Sequence, residues 1–218
     1  VRLLVDAAAS REGILAALDE LAQRARDDAT VTIFYSGHGI VDSHQTYYLT
    51  TTETQLLGAP GARAVAENSA ISQQELLEKL RALKARRVLL IFNACHSGEL
   101  SPVLDANRAS FSGQNPPPDT TAAALATGSG RVIITACREQ QYAFIGDGEQ
   151  TIFTQALLEG LRGEGVSDRG GFISAFDLYT YLYYAVGEAV QQLPESVRTQ
   201  YGGTQEPAGP ALEGTLQD

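Results

Sequence analysis

Short apolar runs alternate with helical repeats along the chain. The apolar runs are Val1 to Val5, Val31 to Tyr35, Val88 to Phe92 and Val132 to Ile134, and none of them alternates cleanly with polar residues. Runs of this kind are typical of strands that are buried on both faces of a sheet. Because strands that alternate with helices form right-handed βαβ units, the pattern predicts an α/β fold in which helices cover both faces of a mostly parallel sheet.

Apolar residues at helical spacing predict helices between and after these runs. The predicted helices begin after Ser10, after Ser72, near Gln150 and at Ser174. Ser72 and Glu75 have the spacing of a capping box, in which the side chain of each residue binds the backbone N–H of the other. Asp177, three residues after Ser174, suggests a second cap of this kind.

Four other segments lack a helical repeat. Tyr47 to Thr51 is expected to form a short strand or hairpin, and Gly58 to Asn68 to form a loop. Residues 99–130 include three consecutive prolines and many small polar residues, which predicts a mobile insert or processing segment. The tail, residues 200–218, is rich in Gly, Pro and Gln and is expected to be irregular. We therefore expect residues 1–218 to form one domain that includes the insert at residues 99–130 and the tail at residues 200–218.

Composition narrows the classes of protein that fit. The chain has 218 residues with 44% hydrophobic and 19% charged residues, which excludes a largely disordered chain. Its net charge of −10 repels phosphate backbones, so we expect no nucleic-acid partner. Two cysteines do not make a disulfide framework, which favours a reducing compartment such as the cytoplasm. No apolar run reaches the roughly 18 residues that span a bilayer, so no membrane partner is expected.

Two of the predicted strands are followed by small and reactive residues. Ser36 to Gly39 follow the run VTIFY, and Asn93 to Gly98 follow VLLIF. Ligands of open parallel sheets bind beyond the carboxyl ends of the strands, where the loops diverge. Because both segments leave parallel strands at the same edge, we expect His38 and Cys95 to lie close together.

These two residue types suit nucleophilic catalysis on a carbonyl group. A thiol is mostly protonated at neutral pH, so a Cys95 nucleophile needs a base such as His38 to accept its proton. The backbone N–H groups of Gly39 and Cys95 are candidates for an oxyanion hole. Cys137 also follows a predicted strand and is expected to line the same cleft. Taken singly, a cysteine at a strand end is more often a buried structural residue, so it is the pairing with His38 that favours catalysis.

The segments FYSGHG and IFNACHSG resemble the paired signatures of the caspase and metacaspase cysteine proteases. The motif CHSG is more similar to that of metacaspases and bacterial orthocaspases than to that of animal caspases. RLLVDAAASREGILAALDEL, RVIITACREQQYAF and TIFTQALLEGLRG resemble successive pieces of the same domain. The resemblance implies a caspase-like fold, a three-layer α/β/α sandwich, and a further strand and helix upstream of Val1.

In activity, the resemblance implies a cysteine endopeptidase that acts through a thioester acyl-enzyme, with His38 as base and Cys95 as nucleophile. Ser36 matches a pocket-lining position of metacaspases. Asn93 stands where metacaspases have a carboxylate, so cleavage after a basic residue, Arg before Lys or Asp, rests mainly on the negative net charge. By position alone, the acidic candidates for the pocket are Asp6, Asp147 and Asp177.

Regulation and partners follow from the same resemblance. Self-cleavage near Arg108, in the predicted insert, is expected to accompany activation. No cofactor or metal is expected: some metacaspases are activated by calcium, but Asp168 to Gly171 lacks the ligand spacing of a calcium loop. Expected partners are protein or peptide substrates and a regulatory protein, with the chain itself a monomer. A catalytically silent caspase-like scaffold is the alternative function.

Overall fold

The computed structural model of the protein describes residues 1–44, 46–58, 64–94, 130–138, 141, 143–144, 150–166, 170–200 and 203–209. The helices in this part of the chain are α1 (Arg11–Arg24), α2 (Gln73–Arg81), α3 (Ile152–Leu161), α4 (Ala175–Gln191) and α5 (Glu195–Gln200). The strands are β1 (Thr30–Gly37), β2 (Gly39–Val41), β3 (Tyr47–Thr50), β4 (Leu56–Leu57), β5 (Ala64–Val65), β6 (Ala70–Ser72), β7 (Arg87–Ala94) and β8 (Arg131–Thr135). Within these ranges, no helix has both the length and the apolar character needed to cross a bilayer.

The central sheet consists of β1, β7 and β8 in the order β1-β7-β8, and all of its pairings are parallel. The register pairs Ser36 with Asn93 and Gly37 with Ala94. It also pairs Phe92 of β7 with Thr135 of β8. The predicted strands at residues 31–35, 88–92 and 132–134 are therefore confirmed, and β1 and β7 end side by side. The expected burial on both faces is found for β7 but not for β1, where Thr32 and Phe34 are exposed.

Two hydrophobic cores lie on opposite faces of this sheet. Alternate residues of β7 point to opposite faces, because successive side chains of a strand do so. One core joins β7 to α1 and α2 through Leu18, Leu76, Leu80, Val88, Leu90 and Phe92. The other joins the sheet to α3 and α4 through Ile91, Ile134, Phe153, Leu157, Leu182 and Val186. This arrangement of helices, sheet and helices is the predicted three-layer α/β/α sandwich.

The helix starts that the sequence predicted are confirmed by their caps. Ser10 Oγ accepts a hydrogen bond from the backbone N–H of Gly13 at 3.0 Å. The reciprocal hydrogen bonds of the Ser72–Glu75 capping box are both present at the start of α2. At the start of α4, Ser174 Oγ accepts from the backbone N–H of Asp177 at 3.0 Å. Each cap satisfies backbone groups that a helix leaves unpaired at its first turn.

A small antiparallel sheet, with the order β2-β3-β6, is formed by the part of the chain between β1 and β7. Only His38 separates β2 from β1, and β6 leads directly into α2. The strand expected at Tyr47 to Thr51 is confirmed as β3, whereas β2 and β6 were not predicted from the sequence. The expected loop from Gly58 to Asn68 contains β5, which pairs with β4. Strands of two or three residues are too short to leave a recognisable period in the sequence.

The prediction of a strand at Val1 to Val5 is wrong. Its backbone is extended at Val5, with φ −137 and ψ 158, but no strand within the described ranges pairs with this segment. Val1, Leu3 and Val5 are exposed. An apolar run reports the preference of its side chains for burial, whereas a strand also needs a neighbour for its backbone hydrogen bonds.

The C-terminal segment, residues 203–209, contains no helix or strand, yet it packs closely against β8. Ala208 forms an antiparallel bridge with Thr135, the last residue of β8. Gln205 is only 1% exposed. The composition of the tail predicted its irregular backbone but contained no sign of this packing. Of the predicted insert at 99–130, only residue 130 lies within the described part of the chain.

Candidate functional site

The predicted base His38 lies at the junction of the two sheets. It is the single residue between β1 and β2 and is partly buried. Its carbonyl oxygen accepts a hydrogen bond from the backbone N–H of Thr50 at 2.9 Å, which continues the β2–β3 ladder by one step. His38 is thus held at the carboxyl end of a parallel strand, where ligands of such sheets bind.

The predicted nucleophile Cys95 lies outside the described residues. In the sequence it directly follows Ala94, the last residue of β7, which is paired in register with Gly37. His38 likewise directly follows Gly37. The two candidate groups are therefore each one residue beyond the same paired position, on neighbouring parallel strands. Their approach to one another stays a prediction.

Asn93 is a buried residue at the centre of a polar cluster at this edge. The residue is 6% exposed, and its Nδ2 donates to Ser36 Oγ at 3.0 Å and to Thr154 Oγ1 at 3.0 Å. Its Oδ1 accepts from Thr151 Oγ1 at 3.3 Å. The amide of Asn93 therefore uses both of its N–H groups and its carbonyl within the protein. The structure brings the predicted pocket residues Ser36 and Asn93 into direct contact.

Thr151 and Thr154 were not among the residues that the sequence analysis selected. Thr151 is the N-cap of α3, and its Oγ1 accepts from the backbone N–H of Thr154 at 3.0 Å. A threonine just before an apolar helical repeat is a recognisable cap signal. That signal predicts the start of a helix, but it does not predict that the same hydroxyl reaches a side chain on β7.

The other predicted site residues lie in varied surroundings. Gly39 is buried at the start of β2, where it pairs with Leu49. It is the residue directly after His38. Asp6 is exposed and begins a 3₁₀ turn, Asp6–Ala9, with a positive φ of 49. Cys137 lies two residues beyond β8 and is completely buried, with its Sγ 3.4 Å from the carbonyl oxygen of Gln141. Its place in the cleft stays a prediction.

Asp177 is far from this edge. It is in the first turn of α4, where the following residue Leu178 contacts Gly160, near the C-terminal end of α3. Thr151 marks the opposite end of α3, which has 10 residues and is therefore about 15 Å long. The remaining candidates, Arg108 and Asp147, lie outside the described residues. In the part of the chain that is described, no group of three or more His, Cys, Asp or Glu side chains is placed to hold a metal ion.

The C-terminal segment holds the end of β8 through side-chain hydrogen bonds that the sequence did not reveal. Gln205 Nε2 donates to the carbonyl oxygen of Ala136 at 2.9 Å, and Gln205 Oε1 accepts from the backbone N–H of Phe144 at 2.9 Å. At the surface beside it, Arg138 Nε donates to Glu206 Oε2 at 2.8 Å. Gln205 thus satisfies buried backbone groups that follow β8.

A parallel sheet between two helical layers, with His38 and Cys95 directly following neighbouring strands in the sequence, is the arrangement that the resemblance to caspase-like proteins implies. The family model described as Caspase domain matches residues 2–207, nearly the whole chain. The chain therefore belongs to the caspase-domain family. Membership supports a cysteine peptidase activity, and hence a hydrolase, at the level of the family.

Two solved structures are similar to this chain. A crystal structure of a protein from Geobacter sulfurreducens is similar with a TM-score of 0.51 and 19% sequence identity, covering 96% of this chain and 76% of that one. Caspase-1 from Spodoptera frugiperda is similar with a TM-score of 0.49 and 16% identity, covering 92% of this chain and 68% of that one. None of the curated proteins compared with the chain matches it.

Proposed function

We propose that the protein is a cysteine endopeptidase with His38 as general base and Cys95 as nucleophile. The observation that carries this proposal is the parallel register of β1 and β7, which pairs Gly37 with Ala94 directly before the two residues. Neighbouring Cα positions in a sheet are about 5 Å apart across the strands. Side chains that leave the next positions on such strands are within reach of one another.

The proposed reaction is acyl transfer in two steps. The imidazole of His38 accepts the proton of the Cys95 thiol as the sulfur attacks the carbonyl carbon of the scissile peptide bond. The C–N bond then breaks, the imidazolium returns the proton to the leaving amine, and a thioester remains. Water, deprotonated by the same imidazole, then attacks the thioester carbonyl carbon. The C–S bond breaks, the acid product leaves, and the imidazolium returns the proton to the Cys95 sulfur. The N–H groups of Gly39 and Cys95 are proposed to bind the oxyanion that forms in each step.

The proposed preference is for a basic residue, with Arg ahead of Lys and Asp, on the amino side of the cleaved bond. Its support is the net charge of −10, which attracts cationic substrates. Asn93 itself is neutral, and its amide is engaged with Ser36, Thr151 and Thr154, so the counter-charge for a basic side chain has to come from another residue. Self-cleavage near Arg108 is part of the same proposal, which follows the metacaspase and orthocaspase type.

A thiol-directed covalent probe and a peptide library test this proposal together. We expect rapid labelling and peptide cleavage by the wild-type protein, with both lost in Cys95→Ala and strongly reduced in His38→Ala. The matched control is His44→Ala, because His44 is exposed on the turn after β2 and should be dispensable. Equally slow labelling of the wild-type protein and His38→Ala would instead support the silent scaffold.

Two further readouts address the finer parts of the proposal. A library with varied residues before the cleaved bond should show preference for Arg, and a preference for Asp would overturn the basic specificity. Mass spectrometry should find fragments cut near Arg108 in the wild-type protein and none in Cys95→Ala. Equal fragmentation of both proteins would dismiss self-processing.

A further inference from the structure

The main chain of His38 is hydrogen-bonded at both of its polar groups by side chains. Its N–H donates to Thr50 Oγ1 at 3.3 Å. Its carbonyl oxygen accepts from Tyr35 Oη at 2.8 Å, in addition to the backbone N–H of Thr50. A loop residue normally leaves part of its backbone to solvent. His38 is instead held from two sides, by Tyr35 on β1 and by Thr50 on β3.

The hydroxyl groups of Tyr35 and Thr50 also contact each other. Tyr35 Oη lies 3.2 Å from Thr50 Oγ1 and 2.9 Å from the carbonyl oxygen of Thr50. One arrangement of protons closes a ring: His38 N–H donates to Thr50, the Thr50 hydroxyl donates to Tyr35, and the Tyr35 hydroxyl donates to the His38 carbonyl. Burial raises the pKa of Tyr35 to about 12, although its hydrogen bonds to Thr50 and His38 act in the opposite direction. The phenol therefore stays a donor throughout the physiological pH range.

The ring of Tyr35 is confined on both sides. A Cβ atom at Gly37 would lie only 2.5 Å from Tyr35 Oη, so the phenol reaches His38 across the space that a glycine leaves open. On the other side, the Tyr35 ring packs against Phe92, with ring centroids 6.3 Å apart. Because Phe92 belongs to β7, Tyr35 contacts both the main chain of His38 and the strand that precedes Cys95 in the sequence.

We infer that Tyr35 and Thr50 are positioning residues that clamp the main chain of His38 and so fix the direction of its imidazole. This inference rests on the proposed function of His38 as the base. Neither Tyr35 nor Thr50 is proposed to contact the substrate. Their effect is on the distance and angle at which His38 meets the thiol, and small errors in such geometry are costly in rate.

The decisive variant is Tyr35→Phe, which removes one hydroxyl and keeps the ring. Its matched control is Tyr47→Phe, since Tyr47 is 1% exposed on the neighbouring strand β3 and its hydroxyl has no hydrogen-bond partner among the described residues. We expect Tyr35→Phe to lower kcat by about 10-fold to 100-fold with KM changed by less than about twofold. Tyr47→Phe should keep kcat within about twofold of the wild-type value.

Two variants of Thr50 separate positioning from a general loss of stability. Thr50→Ser keeps the hydroxyl and should retain activity, whereas Thr50→Val keeps the shape and should behave like Tyr35→Phe. The pH dependence of thiol labelling provides a readout that a purely structural role would not move. When the base is misplaced, labelling should require a higher pH, closer to the ordinary thiol pKa of about 8.5.

The outcomes distinguish this inference from the proposed function. An active wild-type protein with unchanged kcat and pH profile in Tyr35→Phe and Thr50→Val would overturn the clamp alone. Equal losses in Tyr35→Phe and Tyr47→Phe would also overturn it, because they would indicate a general effect of removing a buried hydroxyl. A wild-type protein and a Tyr47→Phe control that neither cleave peptides nor react with the probe would overturn the proposed function, and the clamp with it.

Discussion

The side chains of Asn93 and Ser36 are joined by a hydrogen bond of 3.0 Å between Nδ2 and Oγ. Ser36 is two residues before His38, and Asn93 is two residues before Cys95. The bond therefore ties together the strands that lead to the proposed base and the proposed nucleophile. The Asn93 side chain also forms hydrogen bonds with Thr151 and Thr154, which connect β7 to the start of α3.

Replacing Asn93 with alanine is expected to destabilise the fold. Asn93→Ala removes the hydrogen bonds to Ser36, Thr151 and Thr154 and leaves a small cavity among polar groups. The expected loss in the free energy of unfolding is about 1–3 kcal/mol, measured by urea denaturation. Peptide cleavage should fall as well, because the two strand ends lose their side-chain link.

The control for Asn93 is Gln155→Ala on α3. Gln155 also donates a side-chain hydrogen bond, to Glu159 Oε1 at 3.2 Å, but it is exposed. Surface changes of this kind usually alter stability by less than about 0.5 kcal/mol. If the two variants unfold at the same urea concentration, the cluster around Asn93 contributes nothing beyond an ordinary surface contact.

Alanine at Gly37 is expected to be harmful because of the close approach of Tyr35. The added methyl group would lie 2.5 Å from Tyr35 Oη and 2.8 Å from Tyr35 Cζ, so the phenol has to move away from His38. Overpacking of this kind costs about 1–3 kcal/mol in the free energy of unfolding. We expect Gly37→Ala to lower both the midpoint of thermal unfolding and the rate of peptide cleavage.

Gly187→Ala provides a control with the opposite sign. Gly187 is within α4, and a Cβ atom there would meet nothing within 4 Å. Alanine in a helix is more favourable than glycine by up to about 1 kcal/mol, so this variant should be slightly more stable than the wild-type protein. A Gly37→Ala protein as stable as Gly187→Ala would contradict the close packing described for Tyr35.

Removing the side-chain amide of Gln205 is expected to loosen the C-terminal segment from β8. In Gln205→Leu, the N–H of Phe144 and the carbonyl of Ala136 lose their partner in a buried position. Each unpaired group costs about 1–3 kcal/mol, which differential scanning calorimetry can resolve. Hydrogen exchange should also become faster at residues 135–136.

The neighbouring variant Glu206→Gln serves as the comparison. Its partner Arg138 is 54% exposed and Glu206 is 39% exposed, and surface ion pairs of this type contribute less than about 1 kcal/mol. We expect this variant to unfold close to the wild-type temperature. A larger effect from Glu206→Gln than from Gln205→Leu would show that the surface pair, and not the buried amide, holds the segment.

The pattern of apolar residues was sufficient to predict most of the architecture. Continuous runs such as Val88 to Phe92 predicted strands buried on both faces, because such strands have no polar side to show. Ser10, Ser72 and Ser174 predicted helix starts, because a cap depends on residues three positions apart in the chain. The order of these elements then predicted a parallel sheet between two helical layers.

Contacts between distant residues were decided only by the tertiary structure. The bond from Asn93 to Ser36 spans 57 positions, and that from Gln205 to Ala136 spans 69. The extended segment Val1 to Val5 looked like a strand in the sequence, but pairing depends on a neighbour that no local pattern encodes. Local propensity acts within a few residues, whereas register, packing and hydrogen bonds between strands exist only once the chain has folded.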